Sequence, residues 1–478
     1  MGGGVDAASP QDGIVAPSIP EHVTPILARL WSSGHAAYVV GGALRDAFIG
    51  RPATDWDVAT DARPDRLLAL FPDAHYENRF GTVQVPAGDR EIVEVTTFRR
   101  DMAYRDHRRP DHVEFSDSIA EDLARRDFTV NAIALGRTAE APAALLELVD
   151  PFDGRADLTA RRLRAVGVPE ERFEEDALRL LRAVRLATQL GFVIDPMTLT
   201  AMRSAAPHAT TISPERVGQE LRKMLAVPEP SGGFRMLAET GLLAPIFPLL
   251  AQQIGLEQRK GPGVDLWEHT LRTLDAAARL APGDITLALA ALLHDVGKPE
   301  TAGDGHFIGH DVVGAHRAAG LLRRMAVPRR EADAVVDLVR WHMVGYRSQW
   351  TDAAVRRLIQ KVGRDTLPRL LTLCEADNIG SGKPGDSGGI DELRARIAAE
   401  LERGVPLTLR DLAVDGDDLQ ESCGVAPGPL MGSLLDRLLE AVIADPARNE
   451  RETLLADVRS WLAVDADSSG TQAGSGDR

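Results

Sequence analysis

The sequence predicts an α+β protein: a small mixed β-sheet head followed by an all-helical body. Three observations carry this. β-type runs bounded by turn residues cluster early, at Ala37–Val40, Trp56–Ala59, Thr82–Val85, Ile92–Thr96 and Val130–Leu135. After about Arg155 the strand signals stop, and apolar residues recur at helical spacing over Ala177–Leu190, Gly218–Leu225 and Leu266–Leu280. The length, 478 residues of which 44% are hydrophobic, suits two to four domains with proper cores.

The boundaries follow from composition. Residues 1–21 and 465–478 are rich in Gly, Pro, Ser or Asp and read as disordered. Between them the sequence divides into a head (22–154), a helical neck (155–255), a second helical domain (256–400) and a helical tail (401–464). A net charge of −16 argues against a general polyanion binder, so any nucleic-acid contact must come from local basic patches. One such patch spans Arg155 to Lys223, with twelve Arg/Lys against nine Asp/Glu. Two cysteines exclude a disulfide framework and point to a reducing, cytoplasmic setting. The N-terminus lacks the basic and apolar regions of a signal peptide, and no apolar run approaches the roughly 20 residues of a membrane span, so no membrane partner is expected.

In the head, the predicted first strand runs into Gly41-Gly42 and then an amphipathic stretch containing Arg45. Glycines let backbone approach a phosphate, and a helix start offers free N–H groups and a positive dipole end. Asp55 and Asp57 follow, spaced i, i+2, so on a strand they would point to one face. Two converging carboxylates suit Mg²⁺. Together these features imply metal-assisted phosphoryl or nucleotidyl transfer. Glu94, in a run whose apolar Ile92 and Val95 do not alternate cleanly, is a candidate third carboxylate for a two-metal site. The charged segment Arg99–Pro110 reads as a mobile loop able to offer arginines to a triphosphate. Arg126, in Arg125-Arg126-Asp127-Phe128-Thr129-Val130-Asn131-Ala132, is a candidate triphosphate clamp or a partner of Asp122 or Asp127.

Glu175 to Arg185 reads as one helix, with Asp176, Arg179 and Arg182 on one face. Asp only accepts hydrogen bonds and Arg only donates. Adenine and cytosine present an amino donor beside a ring-nitrogen acceptor, whereas guanine and uracil present the reverse. An Asp–Arg pair therefore fits A and C, and each unpaired buried polar group would cost about 1–3 kcal/mol.

The order and spacing of these motifs resemble the class II tRNA nucleotidyltransferases, the CCA-adding branch of the polymerase-β-like superfamily, over roughly residues 22–460. The resemblance implies that Asp55 and Asp57 hold Mg²⁺, that Arg126 contacts the triphosphate and that Asp176 with Arg179 reads the base. Through the matching motifs it adds Gly41, Gly42, Arg45, Arg125, Asp127, Asn131 and Arg182 as nucleotide neighbours. It implies CTP, ATP and tRNA as partners. The segment with Asp106, Arg108 and Arg109 resembles the family's flexible loop, linked to switching from C to A. Bacterial poly(A) polymerases share the head and are the nearest alternative. They typically carry a Gly-Arg-Arg-type stretch after the paired aspartates, where this chain has Arg79-Phe80-Gly81-Thr82-Val83-Gln84-Val85, the CCA-adding form.

A second cluster lies downstream. His269 opens a helix, His294-Asp295 follow, then His310, His316 and His342, and later Asp377. His and Asp converging from separate helices are typical divalent-metal ligands. The pattern resembles the HD phosphohydrolase superfamily, which implies His269, His294, Asp295 and Asp377 as ligands of Mg²⁺ or a divalent transition metal. His310 or His316, with His342, would extend the site to two metals. Related enzymes use an intact site for 2′,3′-cyclic phosphodiesterase and phosphatase activity. A different-class alternative is therefore an HD phosphohydrolase whose head only senses nucleotide. The intact Asp55/Asp57 pair and Arg125-Arg126-Asp127 argue against a dead head. The Pro427-Gly428-Pro429 turn in the tail resembles the family's element after the HD domain and reads as a helical cap or part of a tRNA-docking surface.

Overall fold

The computed structural model describes residues 17–78, 81–88, 91–104, 110–142, 145–258, 264–303 and 306–470. Asp106, Arg108, Arg109, Arg79, Phe80 and most of both termini lie outside the described residues. The chain forms two compact units. One comprises Met1–Ala251 with Arg324–Ala326, the other Gln252–Arg323 with Val327–Arg478.

The first unit is built on a seven-stranded mixed sheet in the order β3-β4-β5-β2-β1-β8-β9. Its strands are β1 (Ala37–Val40), β2 (Asp57–Thr60), β3 (His75–Asn78), β4 (Thr82–Pro86), β5 (Ile92–Thr97), β8 (Ala134–Arg137) and β9 (Glu147–Val149). β2 and β5 run parallel, and the other neighbours are antiparallel. Tyr38, Val40, Ala59, Phe98, Leu123 and Val166 pack the core around it. β5 does alternate: Val93, Val95 and Thr97 are buried while Ile92 and Glu94 face out.

Four local predictions need correction. Val130–Leu135 is not one strand: Thr129–Asn131 forms a 3₁₀ turn, and β8 starts at Ala134. Polar side chains override β propensity there, since Thr129 donates to Asp157 at 2.6 Å and Asn131 to Asp127 at 3.0 Å. The charged segment is not a loop throughout, because β6 (Arg99–Tyr104) pairs with β7 (Pro110–Phe115). The neck contains strands after all, the short parallel pair β10 (Arg162–Leu163) and β11 (Val193–Ile194). Glu175–Arg185 is two helices, Pro169–Glu175 and Leu178–Leu190. Asp176 between them is extended, and its Oδ1 accepts from Leu178 N at 3.0 Å, the capping role that aspartate favours over a helix interior.

In the second unit, helix Ile285–Leu293 is apolar on every side and buried from Leu287 onward, as a central helix must be. Leu266–Leu280, Arg329–Trp341 and Leu367–Gly380 pack against it, and His310–Arg324 belongs to the same helical set. The tail closes over Leu419, Leu434, Leu438, Val442, Leu454 and Val458. Its last helix, Arg451–Gly470, runs past Asp465, where the sequence predicts disorder. No described helix is long and apolar enough to cross a membrane.

β1 delivers Gly41 to the site, so its partner β8 must lie close. A Cβ on Gly136 of β8 would sit 2.2 Å from Ala37 O and 2.6 Å from Tyr38 Cα, both backbone. Gly136→Ala should therefore destabilise the head by about 1–3 kcal/mol. Urea unfolding should show a lowered midpoint.

Candidate active site

β1 ends where β2 begins: Val40 faces Asp57 across the antiparallel pair, and Asp57 faces Glu94 in the parallel one. Partners in register point to the same face, so Asp57 and Glu94 converge. Asp55 reaches the site differently from the prediction. It precedes β2 with φ +21° and is exposed, so a turn, not strand alternation, brings it near. Gly41 has φ +83°, and a Cβ there would lie 3.1 Å from Asp57 Oδ2 and 3.4 Å from Arg126 Nη1. The positive φ favours glycine here, and an added Cβ would crowd Asp57 and Arg126.

Burial pushes the Asp57 carboxyl up to about 6, opposed by Arg126 and reinforced by the negative charges of Glu94 and Asp55. Glu94 and Asp55 add negative charge near Asp57, with Arg126 as partial relief, an electrostatic setting that favours a cation beside Asp57.

Asp57 lines a cleft of about 320 Å³ together with Gly41, Gly42 and residues from three further segments. Helix Ile119–Ala124 and the turn after it supply Arg125, Arg126, Asp127 and Asn131. The Leu178–Leu190 helix and its cap supply Asp176, Arg179 and Arg182. The Pro214–Leu225 helix adds Arg216.

Buried carboxylates hold these arginines. Asp122, 1% exposed, accepts from Arg125 at 2.7 Å and from Arg126 at 3.3 Å. Its burial would raise its proton affinity, but the two guanidiniums outweigh it and hold it below the usual range. Asp127 is likewise buried, yet Arg182 at 2.5 Å, Asn131 and Arg179 hold it well below the usual carboxylate range. Arg126 Nε is buried and donates to nothing among the described residues, leaving a donor for an anion. Arg179 donates to Glu175 and to the carbonyls of Arg172 and Arg125. Asp176 is gripped by Arg216 through Nη1 to Oδ1 at 3.0 Å and Nη2 to Oδ2 at 2.6 Å.

Most predicted head residues thus meet in one cleft, but Arg45, Asp55 and Glu94 do not line it. Arg45 is 7% exposed and holds Asp46 and Asn131 Oδ1, the latter at 2.7 Å. Arg216 is the residue sequence reasoning missed, and Asp122, expected only as an alternative partner of Arg126, proves to hold both Arg125 and Arg126. A lone Arg forty positions beyond its partner carries no local signal. Asp122 had one, its i+3 and i+4 spacing to the two arginines.

The second unit brings its predicted cluster together. His269, His294 and Asp377 offer ligand atoms within 4.8 Å of one another, as do Asp295, His310 and His342. Asp295 bridges the groups. Its Oδ2 lies 3.1 Å from His294 Nε2, and its Oδ1 lies 3.4 Å from His310 Nε2. His294, His310 and His342 each direct Nδ1 at the carbonyl three residues earlier, at 2.7–2.8 Å. A carbonyl only accepts, so Nδ1 donates there and the Nε2 edge is left facing the cluster. Burial, aided by His294, lowers His342 to about 4, so it stays neutral at pH 7. Asp295 Oδ1 is buried and accepts no hydrogen bond among the described residues. These features fit divalent metal. His316, the alternative to His310, is exposed.

The sheet, the carboxylate-and-arginine cleft and the histidine cluster define a nucleotidyltransferase head joined to an HD domain. Residues 37–164 match the family described as "Poly A polymerase head domain", 191–254 "Probable RNA and SrmB- binding site of polymerase A", and 266–381 "HD domain". The CCA-adding enzyme of Geobacillus thermodenitrificans is 35% identical over 440 residues, 91% of this chain and 95% of that protein. That of Levilactobacillus brevis is 34% identical over 448 residues, 92% of this chain and 97% of that protein. The crystal structure of the Bacillus stearothermophilus CCA-adding enzyme in complex with CTP matches with a TM-score of 0.66 at 30% identity, covering 95% of this chain and 100% of that one. The chain belongs to the family of CCA-adding enzymes.

The raised Asp57 carboxyl has a measurable consequence. In the metal-free folded head it keeps its proton to about pH 6, whereas an unperturbed carboxyl loses it near 3.8. Between those values the folded state binds more protons than the unfolded one, so this group's contribution makes stability fall as pH rises and then level off. Denaturant unfolding in chelator from pH 4 to 7 should show Asp57→Asn gaining on wild type across that window.

Proposed function

We propose that the protein adds C, C and A to the 3′ end of tRNA from CTP and ATP. Charge complementarity and donor–acceptor order support this reading, and one observation carries it: Asp57 and Asp176 line the same cleft with the arginines between them. In the reaction the terminal hydroxyl oxygen attacks the α-phosphorus, a new P–O bond forms, the bond to the β-phosphate breaks, and pyrophosphate leaves.

Asp55 and Asp57, with Glu94 beside them, would hold Mg²⁺, which when bound activates the hydroxyl and neutralises charge on the leaving group. Gly41 and Gly42 admit the phosphates to the start of the Gly41–Phe48 helix. Arg126 and Arg182, fixed by Asp122 and Asp127, grip the triphosphate as planar forks. Arg125 holds Arg179 through its own backbone carbonyl, which accepts from Arg179 Nη2 at 3.0 Å. Arg45 acts at one remove, by orienting Asn131. Asp176 and Arg179 read the base edge. The reaction belongs in the cytoplasm, consistent with two free cysteines, Cys374 and Cys423.

A second reading concerns the HD unit. Asp295 placed between two histidine groups supports divalent-metal phosphoester hydrolysis there, at a cavity of about 630 Å³ that also exposes Lys298 and Lys383. His269, His294 and Asp377 would hold one ion and His310 with His342 the other.

Two experiments test these readings. Asp57→Ala should lower CTP incorporation into tRNA lacking its terminal triplet on the order of 10³-fold. Long A tracts without C incorporation by the wild type would instead reject CCA addition. The double variant His294→Ala, Asp295→Ala should abolish 2′,3′-cyclic phosphate hydrolysis and bound metal in the second unit, while incorporation persists. If hydrolysis survives, the HD site is not its source.

A further inference from the structure

An ionised carboxylate has about four acceptor positions, two on each oxygen. Three of those on Asp176 are filled from within the chain. Leu178 N and Arg216 Nη1 both donate to Oδ1 at 3.0 Å, and Arg216 Nη2 donates to Oδ2 at 2.6 Å. One acceptor position remains, on Oδ2. Arg179 is restricted in a matching way. Its Nη1 protons go to the Arg172 carbonyl and Glu175, and one Nη2 proton goes to the Arg125 carbonyl. Asp176, Arg179 and Arg216 all line the cleft.

We propose that Arg216 is a positioning residue for base selection, whose fork fixes the Asp176 carboxylate and reduces it to a single acceptor. This rests on Asp176 and Arg179 reading the base. A carboxylate free to rotate presents acceptors in several directions and can move to meet the ring N–H of uracil. Held by two parallel hydrogen bonds to a planar guanidinium, it cannot turn without breaking both. Its one open position then accepts the exocyclic amino group of cytosine or adenine, beside the donor of Arg179. Uracil and guanine bring a carbonyl where that amino group should be, and the ring N–H finds no second acceptor. Lysine could keep the charge but would hold the carboxylate as a point donor, without fixing its plane.

The test is single-nucleotide incorporation by the full chain, with CTP and UTP on tRNA lacking its terminal triplet and with ATP and GTP on tRNA ending in CC. Arg216→Ala, Arg216→Gln and Arg216→Lys should each lower the CTP:UTP ratio of kcat/KM by about tenfold. The change should lie mainly in KM. Equilibrium dialysis of CTP and UTP against the tRNA-free protein should show the same narrowing. If the substitutions depress both pyrimidines equally and leave the ratio unchanged, Arg216 is merely structural and the proposal fails. If Arg216→Lys restores the wild-type ratio, charge alone suffices and the fork is irrelevant. Asp176→Asn separates the two layers. An unchanged ratio there removes the base-reading assignment itself, whereas a changed ratio with unaffected Arg216 variants removes only the role of Arg216.

Discussion

The head depends on buried carboxylates that hold arginines still. Asp127 is the clearest case. It receives Phe128 N, Asn131 Nδ2 and the Arg182 guanidinium, and Asn131 in turn receives Arg45. Burying a carboxylate is costly unless such partners compensate for it, and breaking one partner strands the charge. The network therefore ties the helix after Gly41-Gly42 to the helix that bears Arg179 and Arg182. A flexible arginine would lose side-chain freedom on gripping a phosphate, whereas these have already lost it on folding.

The HD unit solves a related problem by different means. Three of its histidines, His294, His310 and His342, are aimed by backbone carbonyls, and the carboxylate between them, Asp295, is held low in proton affinity. Burial would raise Asp295, but His294 and Lys298 pull it well below the usual range. Lys298 Nζ lies 2.5 Å from Asp295 Oδ2, on the oxygen facing His294. The other oxygen, Oδ1, accepts no hydrogen bond among the described residues and lies 3.4 Å from His310 Nε2 and 3.7 Å from His342 Nε2.

Much of the head was legible because its signals are local. Gly41-Gly42 and the spacing of Asp55 and Asp57 survive any fold that puts a strand beside a helix start. Yet the spacing argument assumed the wrong geometry, since Asp55 sits in a bend before the strand and not on it. The helix proposed to read the base departs similarly: i, i+3 spacing assumes an unbroken helix, while Asp176 lies before one and accepts from Leu178 N. Long-range partners were invisible. Arg216 meets Asp176 only because the Pro214–Leu225 helix packs against the Leu178–Leu190 helix, and no periodicity encodes that. The histidine cluster was legible as a set, but choosing His310 over His316 required knowing which face of the His310–Arg324 helix is buried: His310 is, and His316 is exposed.

The charge balance now has a physical reading. A chain with net charge −16 is expected to handle a polyanion poorly. The cleft does not contradict this, because Arg125, Arg126, Arg179, Arg182 and Arg216 each face a carboxylate of the chain itself. Nearly neutral in sum, it offers direction in place of net attraction: forks held at fixed angles, with a few donors still open. Such a site favours ligands whose acceptors match those angles, and it gains little from a phosphate in any other arrangement. An acidic enzyme can thereby bind a triphosphate firmly while keeping a weak hold on nucleic acid at large.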